Sequence, residues 1–468
     1  MTDFQVRNPA TAAVIDTVHD HTAAEAAAQV DAAQAAFEDW RAVAPRRRAE
    51  VLMAAHRAML DDAERLRDII VAENGKSQAD AAAEVTYAAE FFRWYAEEAV
   101  RTPGDYAPAP AGGVRNVVTR HPVGVAVLIT PWNFPAAMAT RKIAPALAAG
   151  CTVLLKPASE TPLTALAIAE ILTQAGVPEG AVQVAATSSA SSVVSAWLAD
   201  ERVRKLSFTG STGIGRRLLA QCAERVVNTS MELGGNAPFI VTADADLEAA
   251  VDGAMVAKFR NSGQACTAAN RFYVHADVAE EFIAAFGRRI EQLTVGDPAA
   301  GAAIGPVIHA KAAAAIRDLI DGAVAAGARI AHHAALPAGE GAAGLDQEAF
   351  VAPTLLADVP ADADILREEI FGPVAPVVVY TDQDEMIARA NDSEVGLSSY
   401  VFAGNLQRAM QIGERLEAGM VGINRGIVSD PSAPFGGVKQ AGIGREGGSF
   451  GIEEFTEPQY LSVDWSTV

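Results

Sequence analysis

Short, nearly continuous runs of Val, Leu and Ile alternate with helical segments from residue 125 onward. Residues 125–130, 152–156, 181–185 and 205–208 read as strands, with helices such as 163–175 between them. A strand that is apolar on both faces must be covered on both. The pattern therefore predicts parallel α/β sheets with helices packed on each side. After Gly234-Gly235 a second series begins, with strands at 239–242, 271–275, 373–380, 398–402 and 420–423 and a helix at 247–259. Two α/β domains are expected, because 468 residues exceed what one hydrophobic core organises. Ligands of such sheets gather at the carboxyl ends of the strands. Upstream, 22–100 is rich in Ala and Glu with helical periodicity and predicts several amphipathic helices. Tyr87, Phe91, Trp94 and Tyr95 share one face there and read as core rather than as a ligand site. A breaker-rich linker occupies 103–113, and 114–119 alternates like an exposed strand.

Charge and cysteine usage narrow the function classes. A net charge of −21 disfavours nucleic acid or an anionic membrane surface as a partner, since both attract basic patches. Cys151, Cys222 and Cys266 are odd in number and widely spaced, so no disulfide framework is expected and a reducing cytoplasm fits. The N-terminal stretch lacks a basic start followed by an apolar core, so no signal peptide is expected, and the most apolar runs are broken by charge or diluted by Ser and Thr. The eight His show no ligand-like spacing, and no metal site is expected.

One cysteine stands in a different setting. Cys266 lies in KFRNSGQACTAAN, residues 258–270, among small and polar neighbours that leave a sulfur approachable. A lone Cys reads more readily as a small buried apolar residue than as a nucleophile, so its companions decide. They are ITPWNFP at 129–135, LLKPASETP at 154–162, SFTGSTGIG at 207–215, MELGG at 231–235, EEIFGP at 368–373 and PFGGVKQAGIGREGG at 434–448.

In this order and spacing the series resembles the aldehyde dehydrogenase superfamily over nearly the whole chain. The resemblance implies two parallel-sheet α/β domains and a small oligomerisation arm. Cofactor binding would fall to 1–113 and 130–233, catalysis to 234–433, and the arm to 114–129 and 434–468. Cys266 would attack the aldehyde carbon, and Asn133 with the Cys266 main-chain N–H would hold the resulting oxyanion. Removing one such donor typically costs about 3–4 kcal/mol. Hydride loss to a nicotinamide would leave a thioester, and Glu232 would deprotonate the water that hydrolyses it.

For the cofactor the resemblance implies Lys156 at the adenosine ribose, Gly210 and Ser211 at the pyrophosphate, and Glu369 with Phe371 at the nicotinamide ribose. Trp132 and Leu233 would line the nicotinamide pocket. Ser159 stands where NAD-preferring relatives usually carry Glu, which removes repulsion of a 2′-phosphate. NADP is therefore expected, with NAD possible, and Glu160 tempers the preference.

Within the superfamily, Arg141, Arg260 and Ser429 look like the carboxylate-holding set of succinate-semialdehyde dehydrogenase. The alternative for both arginines is a structural ion pair. Glutarate semialdehyde and uncharged or aromatic aldehydes remain as other substrates, and a cofactor-free thiol hydrolase or a non-catalytic binding protein as other classes. Ala268 replaces a second Cys found in many members of that subfamily, so no disulfide switch is expected. Arg425 and Asp430 are unusual, and Asp430 beside Ser429 is expected to weaken anion binding or shorten the accepted chain. Residues 114–119 and the tail would pair across subunits of a homodimer or homotetramer.

Overall fold

The computed structural model describes residues 3–466. Two sheets dominate. In the first, six strands run in the order Gly442–Ile443, Asn228–Glu232, Val203–Thr209, Val125–Ile129, Thr152–Lys156, Val182–Val184. All pairs are parallel except the edge pair, where Gly442 opposes Glu232. In the second, seven strands run Arg329–His333, Thr354–Ala357, Val374–Tyr380, Ala269–His275, Ala237–Val241, Ser398–Phe402, Met420–Ile423. Only the first pair is antiparallel. Central strands such as Val125–Ile129 and Ala237–Val241 are buried along their whole length, which is what their unbroken apolar runs require.

The Ala-rich region forms four helices, Ala23–Trp40, Pro45–Asp61, Ala63–Asn74 and Gln78–Glu98. Behind them lies the helix Pro135–Ala149, buried at every position including Arg141 and Lys142. Its first turn leaves N–H groups unpaired inside the protein, and a carboxylate from the neighbouring helix meets them. Glu84 accepts from Ala136 N at 2.9 Å and Ala137 N at 3.2 Å. The other Glu84 oxygen lies 2.5 Å from Lys76 Nζ, and both side chains are fully buried. Glu73 does the same for the helix Pro162–Gln174, accepting from Leu163 N and Thr164 N at 2.7 and 2.9 Å.

Several expectations change. Residues 125–129 are a central strand of the six-stranded sheet, not part of the arm, because their apolar side chains need cover on both faces. The arm sheet is Thr456–Asp464, Val114–Pro122 and Asp105–Pro108, all antiparallel. Gly442–Ile443 joins the six-stranded sheet and Val438–Lys439 pairs with Val395–Gly396, so the stretch from 434 to 455 is also outside the arm. A hairpin, Asp3–Arg7 with Val14–His19, was not foreseen at the N-terminal end. No helix among the described residues is long and apolar enough to cross a membrane.

Strand direction sets where the chemistry falls. The carboxyl edge of the six-stranded sheet delivers Trp132 and Asn133 after Ile129, Ser159 after Lys156, Gly210 and Ser211 after Thr209, and Glu232 with Leu233. The second sheet contributes from its amino edge instead. Cys266 precedes the strand Ala269–His275, and Glu369 and Phe371 precede Val374–Tyr380. The carboxyl-end rule thus holds for one sheet only, because the chain passes from Glu232 through Gly234-Gly235 straight into Ala237–Val241.

Glu84→Ala should lower stability by about 3–5 kcal/mol, since it strands a buried ammonium and uncaps a buried helix. A thermal melt should show the midpoint falling by several degrees, while Thr86→Ala on the exposed face of the same helix leaves it in place.

Candidate active site

The loop carrying Cys266 joins the helix Leu247–Phe259 to the strand Ala269–His275. Its anchors converge on Gln264. The Gln264 side-chain oxygen accepts from Ile308 N at 2.9 Å, and its main-chain oxygen accepts from Asn133 Nδ2 and Asn261 Nδ2, each at 3.1 Å. The Gln264 carbonyl needs a donor, and this fixes which end of the Asn133 amide faces it. The second Nδ2 proton of Asn133 is left for a ligand oxygen. Asn133 is itself gripped from behind, its carbonyl accepting from Lys76 Nζ at 2.8 Å and Asn261 Nδ2 at 2.7 Å. Cys266 is half-buried. Dense surroundings push its thiol up to about 12, with Arg141 and Arg260 pulling against that and the Glu369 and Glu232 carboxylates adding to it.

Glu232 ends the strand Asn228–Glu232 and is 2 % exposed. Among the described residues neither of its carboxylate oxygens has a hydrogen-bond partner. Burial, and then the negative charge of Glu446, raise its pKa well above the ordinary carboxylate value, while Arg141 and Lys142 oppose the shift. Glu446 answers two buried cations at once. Arg141 Nε lies 2.6 Å from it, and Lys142 pairs with its other oxygen while also donating to Ser207 Oγ at 2.9 Å. Burial alone would push Glu446 up, but Lys142 and Arg141 hold it below its ordinary value. Lys142 and Glu446 were not singled out from the sequence. The available signal was a pair of adjacent cations in an otherwise apolar helix, which demands a buried carboxylate from elsewhere.

A cavity of about 180 Å³ is lined by Cys266, Arg141, Arg260, Ser429, Tyr87 and Phe435, among others. The Arg141 guanidinium stacks over Phe435 at 4.0 Å, and Arg260 lies over Phe134 at 5.2 Å. Arg141 is therefore both a structural ion pair and a cavity wall. Arg260 pairs with no carboxylate among the described residues. Phe91 and Tyr95 are core as the stripe predicts, and Tyr87 and Trp94 pack against it, but Tyr87 also lines this cavity. Asp430 does not line the cavity. Its carboxylate accepts from Ser432 N at 2.9 Å and Ser432 Oγ at 2.7 Å.

A second cavity, of about 610 Å³, lies on the other side of Gln264 and is lined by Trp132, Glu369 and Phe371. Trp132 and Phe371 meet edge to face at 5.4 Å. Glu369 accepts from Gly235 N at 3.3 Å. The protein around it raises its carboxyl to about 7, opposed by the Gly235 hydrogen bond and Lys258. Its side chain stands open in the cleft, so water there offsets part of that shift. Leu233 packs where the helix Thr212–Ala223 passes closest, at Gly215.

Further along the carboxyl edge, Lys156 ends its strand with its ammonium pKa lowered by burial and partly restored by Glu160. Ser159 Oγ donates to Glu160 at 3.1 Å. Gly210 and Ser211 open the helix Thr212–Ala223, whose N-terminus has no side-chain cap. The Gly210 N–H already donates to the Glu232 carbonyl at 3.0 Å, so the N–H groups left to meet an anion are those that follow it in the first turn, at Ser211 to Gly213. A side chain at Gly210 would place a Cβ 2.5 Å from the Phe208 ring.

Residues 1–461 match the aldehyde dehydrogenase family. Among curated relatives, a succinate-semialdehyde dehydrogenase of Paenarthrobacter nicotinovorans is 48 % identical over 96 % of this chain and 99 % of its own length. A glutarate-semialdehyde dehydrogenase of Pseudomonas aeruginosa is 46 % identical over 98 % of this chain and 93 % of its own. The crystal structure of an NADP-dependent enzyme of Escherichia coli superposes with a TM-score of 0.95 at 45 % identity, covering 99 % of this chain and 95 % of that one.

Alkylation of Cys266 by iodoacetamide in the ligand-free protein should accelerate about tenfold per pH unit, because only the thiolate reacts. With the thiol near 12, no plateau is expected below pH 10. A plateau near pH 8, followed by mass spectrometry of the alkylated peptide, would contradict the electrostatics described.

Proposed function

The chain belongs to the aldehyde dehydrogenase family, and from that premise we propose that it oxidises succinate semialdehyde to succinate, with NADP preferred over NAD. The observation that carries the substrate is Arg260. Its guanidinium has no carboxylate partner among the described residues, and it lines the same small cavity as Cys266 and Ser429. A cation so placed favours a distal carboxylate and leaves a neutral aldehyde with an unpaired partner. Arg141 adds positive field to that cavity, but its charge is already paired with Glu446.

The chemistry assigned to the residues follows from their settings. The Cys266 thiolate, favoured by Arg141 and Arg260, adds to the aldehyde carbon. Asn133 Nδ2 and the Cys266 N–H donate to the oxygen of the thiohemiacetal. The nicotinamide, when bound, supplies a hydride acceptor. Loss of hydride leaves a thioester on Cys266. Glu232, with two unpartnered oxygens and a raised pKa, takes the proton of the attacking water, and the acid departs as the sulfur is released.

The residues present fit a dinucleotide. The uncapped helix start at Gly210 and Ser211 suits a pyrophosphate, Lys156 a ribose, Glu369 and Phe371 the nicotinamide ribose, and Trp132 with Leu233 the ring. Ser159 supplies a hydroxyl where a carboxylate would repel a 2′-phosphate, although Glu160 lies close by. Glutarate semialdehyde is the second reading. A relative of that name is 46 % identical, and one methylene shifts selectivity by only about 1–3 kcal/mol. Free thiols at Cys151, Cys222 and Cys266 suit a reducing cytoplasm. The edge strand Thr456–Asp464 with Val114–Pro122 suits pairing between subunits of a homodimer or homotetramer.

An aldehyde panel assayed with each cofactor tests the reading. Arg260→Ala should cut kcat/KM for succinate semialdehyde by about 1.5–3 kcal/mol, roughly ten- to over a hundredfold, and leave butanal within a few-fold. Equal loss on both would make Arg260 structural. Ser159→Glu should lower kcat/KM with NADP by about tenfold or more while activity with NAD is kept. Better use of NAD than NADP by the unmodified enzyme would overturn the cofactor preference.

A further inference from the structure

Between Arg260 and Cys266 the backbone does something L-residues avoid. Asn261 (φ 52°, ψ 40°), Ser262 (φ 53°, ψ 30°) and Gly263 (φ 75°) are three consecutive left-handed residues. The left-handed region is disfavoured for any residue with a Cβ, and Asn tolerates it better than Ser. Such a run persists only if its surroundings hold it. Gly263 is obligatory, since a Cβ there would lie 2.2 Å from the Gly372 carbonyl oxygen. Ser262 Oγ donates to Gly305 O at 3.2 Å, and Asn261 Nδ2 ties the run to Asn133.

One holder comes from a different layer and carries a charge. Asp80, in the first turn of the helix Gln78–Glu98, accepts the main-chain N–H of Asn261 through Oδ2 at 2.9 Å. Its own N–H is taken by Ser77 Oγ at 3.1 Å, so the side chain is anchored at its base. Asp80 also lines the cavity that holds the Cys266 sulfur. With Arg260 it lines the neighbouring surface groove of about 600 Å³. The left-handed run therefore separates the two groups that would grip opposite ends of a substrate. Arg260 stands immediately before it, and Gln264 to Cys266 immediately after.

We propose that Asp80 is a positioning residue for the substrate. By holding the Asn261 N–H it fixes the span between the Arg260 guanidinium and the Cys266 sulfur, and with it the length of semialdehyde that reacts. The inference rests on the carboxylated-substrate reading above. It also opposes what charge alone predicts. A carboxylate lining a cavity for anions repels them, so if Asp80 acted only through charge, its removal would improve binding. If Asp80 acts as an acceptor that holds the turn, removal harms binding of the carboxylated substrate even though the repulsion is gone.

Asp80→Ala and Asp80→Asn separate the two roles, because Asn keeps an acceptor oxygen and loses the charge. The readouts are KM and kcat for succinate semialdehyde and for butanal. A second pair needs no cofactor: alkylation of Cys266 by 4-iodobutyrate and by 4-iodobutanamide, which share the substrate's spacing. Asp80→Ala should raise KM for succinate semialdehyde about tenfold or more relative to butanal, the loss expected from one charge-assisted hydrogen bond. It should lower the butyrate-to-butanamide alkylation ratio similarly, and Asp80→Asn should keep both near the unmodified values. Equal losses on charged and neutral reagents, an Asn variant as poor as the Ala variant, or a fall in KM with Ala would each overturn the proposal. A thermal melt of each variant identifies general unfolding, in which case the ratio measured on Asp80→Asn decides. Failure of the unmodified enzyme to oxidise succinate semialdehyde would be a failure of the substrate reading, seen before any variant is made.

Discussion

Two cations on adjacent positions of a fully buried helix, Arg141 and Lys142, share one carboxylate, Glu446. Removing three charges from water is costly, and their mutual attraction repays it only when the geometry is held from all sides. That requirement binds the helix Pro135–Ala149 to a loop near the C-terminal end of the chain. It places a negative charge beside Glu232 and a positive one beside Cys266. The two shifts have one source. Glu446 adds to the cost of ionising Glu232, and Arg141, paired with Glu446, only partly offsets the cost of a Cys266 thiolate.

A second buried pair does the mechanical counterpart of this work. Lys76 sits between Glu84 and the carbonyl of Asn133, and Glu84 caps the helix that follows Asn133. The helical layer, the Asn133 turn and the Cys266 loop are thus joined through a few charge-assisted hydrogen bonds rather than through side chains that merely pack. Around these anchors the site divides by chemistry. The cavity with Cys266 and Arg260 is small and carries both guanidinium and carboxylate groups on its walls. The cavity beyond Gln264 is larger and is walled by Trp132, Phe371 and Glu369.

Much of this was legible from residues alone. The strands 152–156, 398–402 and 420–423 appear at the expected bounds, as does the helix Leu247–Phe259. Motifs at strand ends identified the residues that the fold collects, and the family that the full-length match bears out. What escaped were partners far apart in the chain. Glu446 lay inside a quoted motif but was assigned to the arm, because no local pattern says that Gly442–Ile443 will pair with Met231 and Glu232. Tyr87 was grouped with Phe91 and Tyr95 by helical periodicity, which sorts faces but not how far along a face the core extends. The left-handed run at Asn261 to Gly263 has a suggestive composition, yet Asn-Ser-Gly is an ordinary turn sequence.

Residue identity alone therefore determined the α/β class, the family, and the thiol, amide and carboxylate that family membership points to, because each is a local pattern that survives without neighbours. Tertiary structure alone decided which buried arginine is paired with a carboxylate, which carboxylate has its pKa raised by burial, and how the second sheet meets the first by its amino edge. Those outcomes depend on burial and on distances between residues up to several hundred positions apart. Electrostatic energy in a low-dielectric interior is a property of that arrangement and not of the order of residues in the chain.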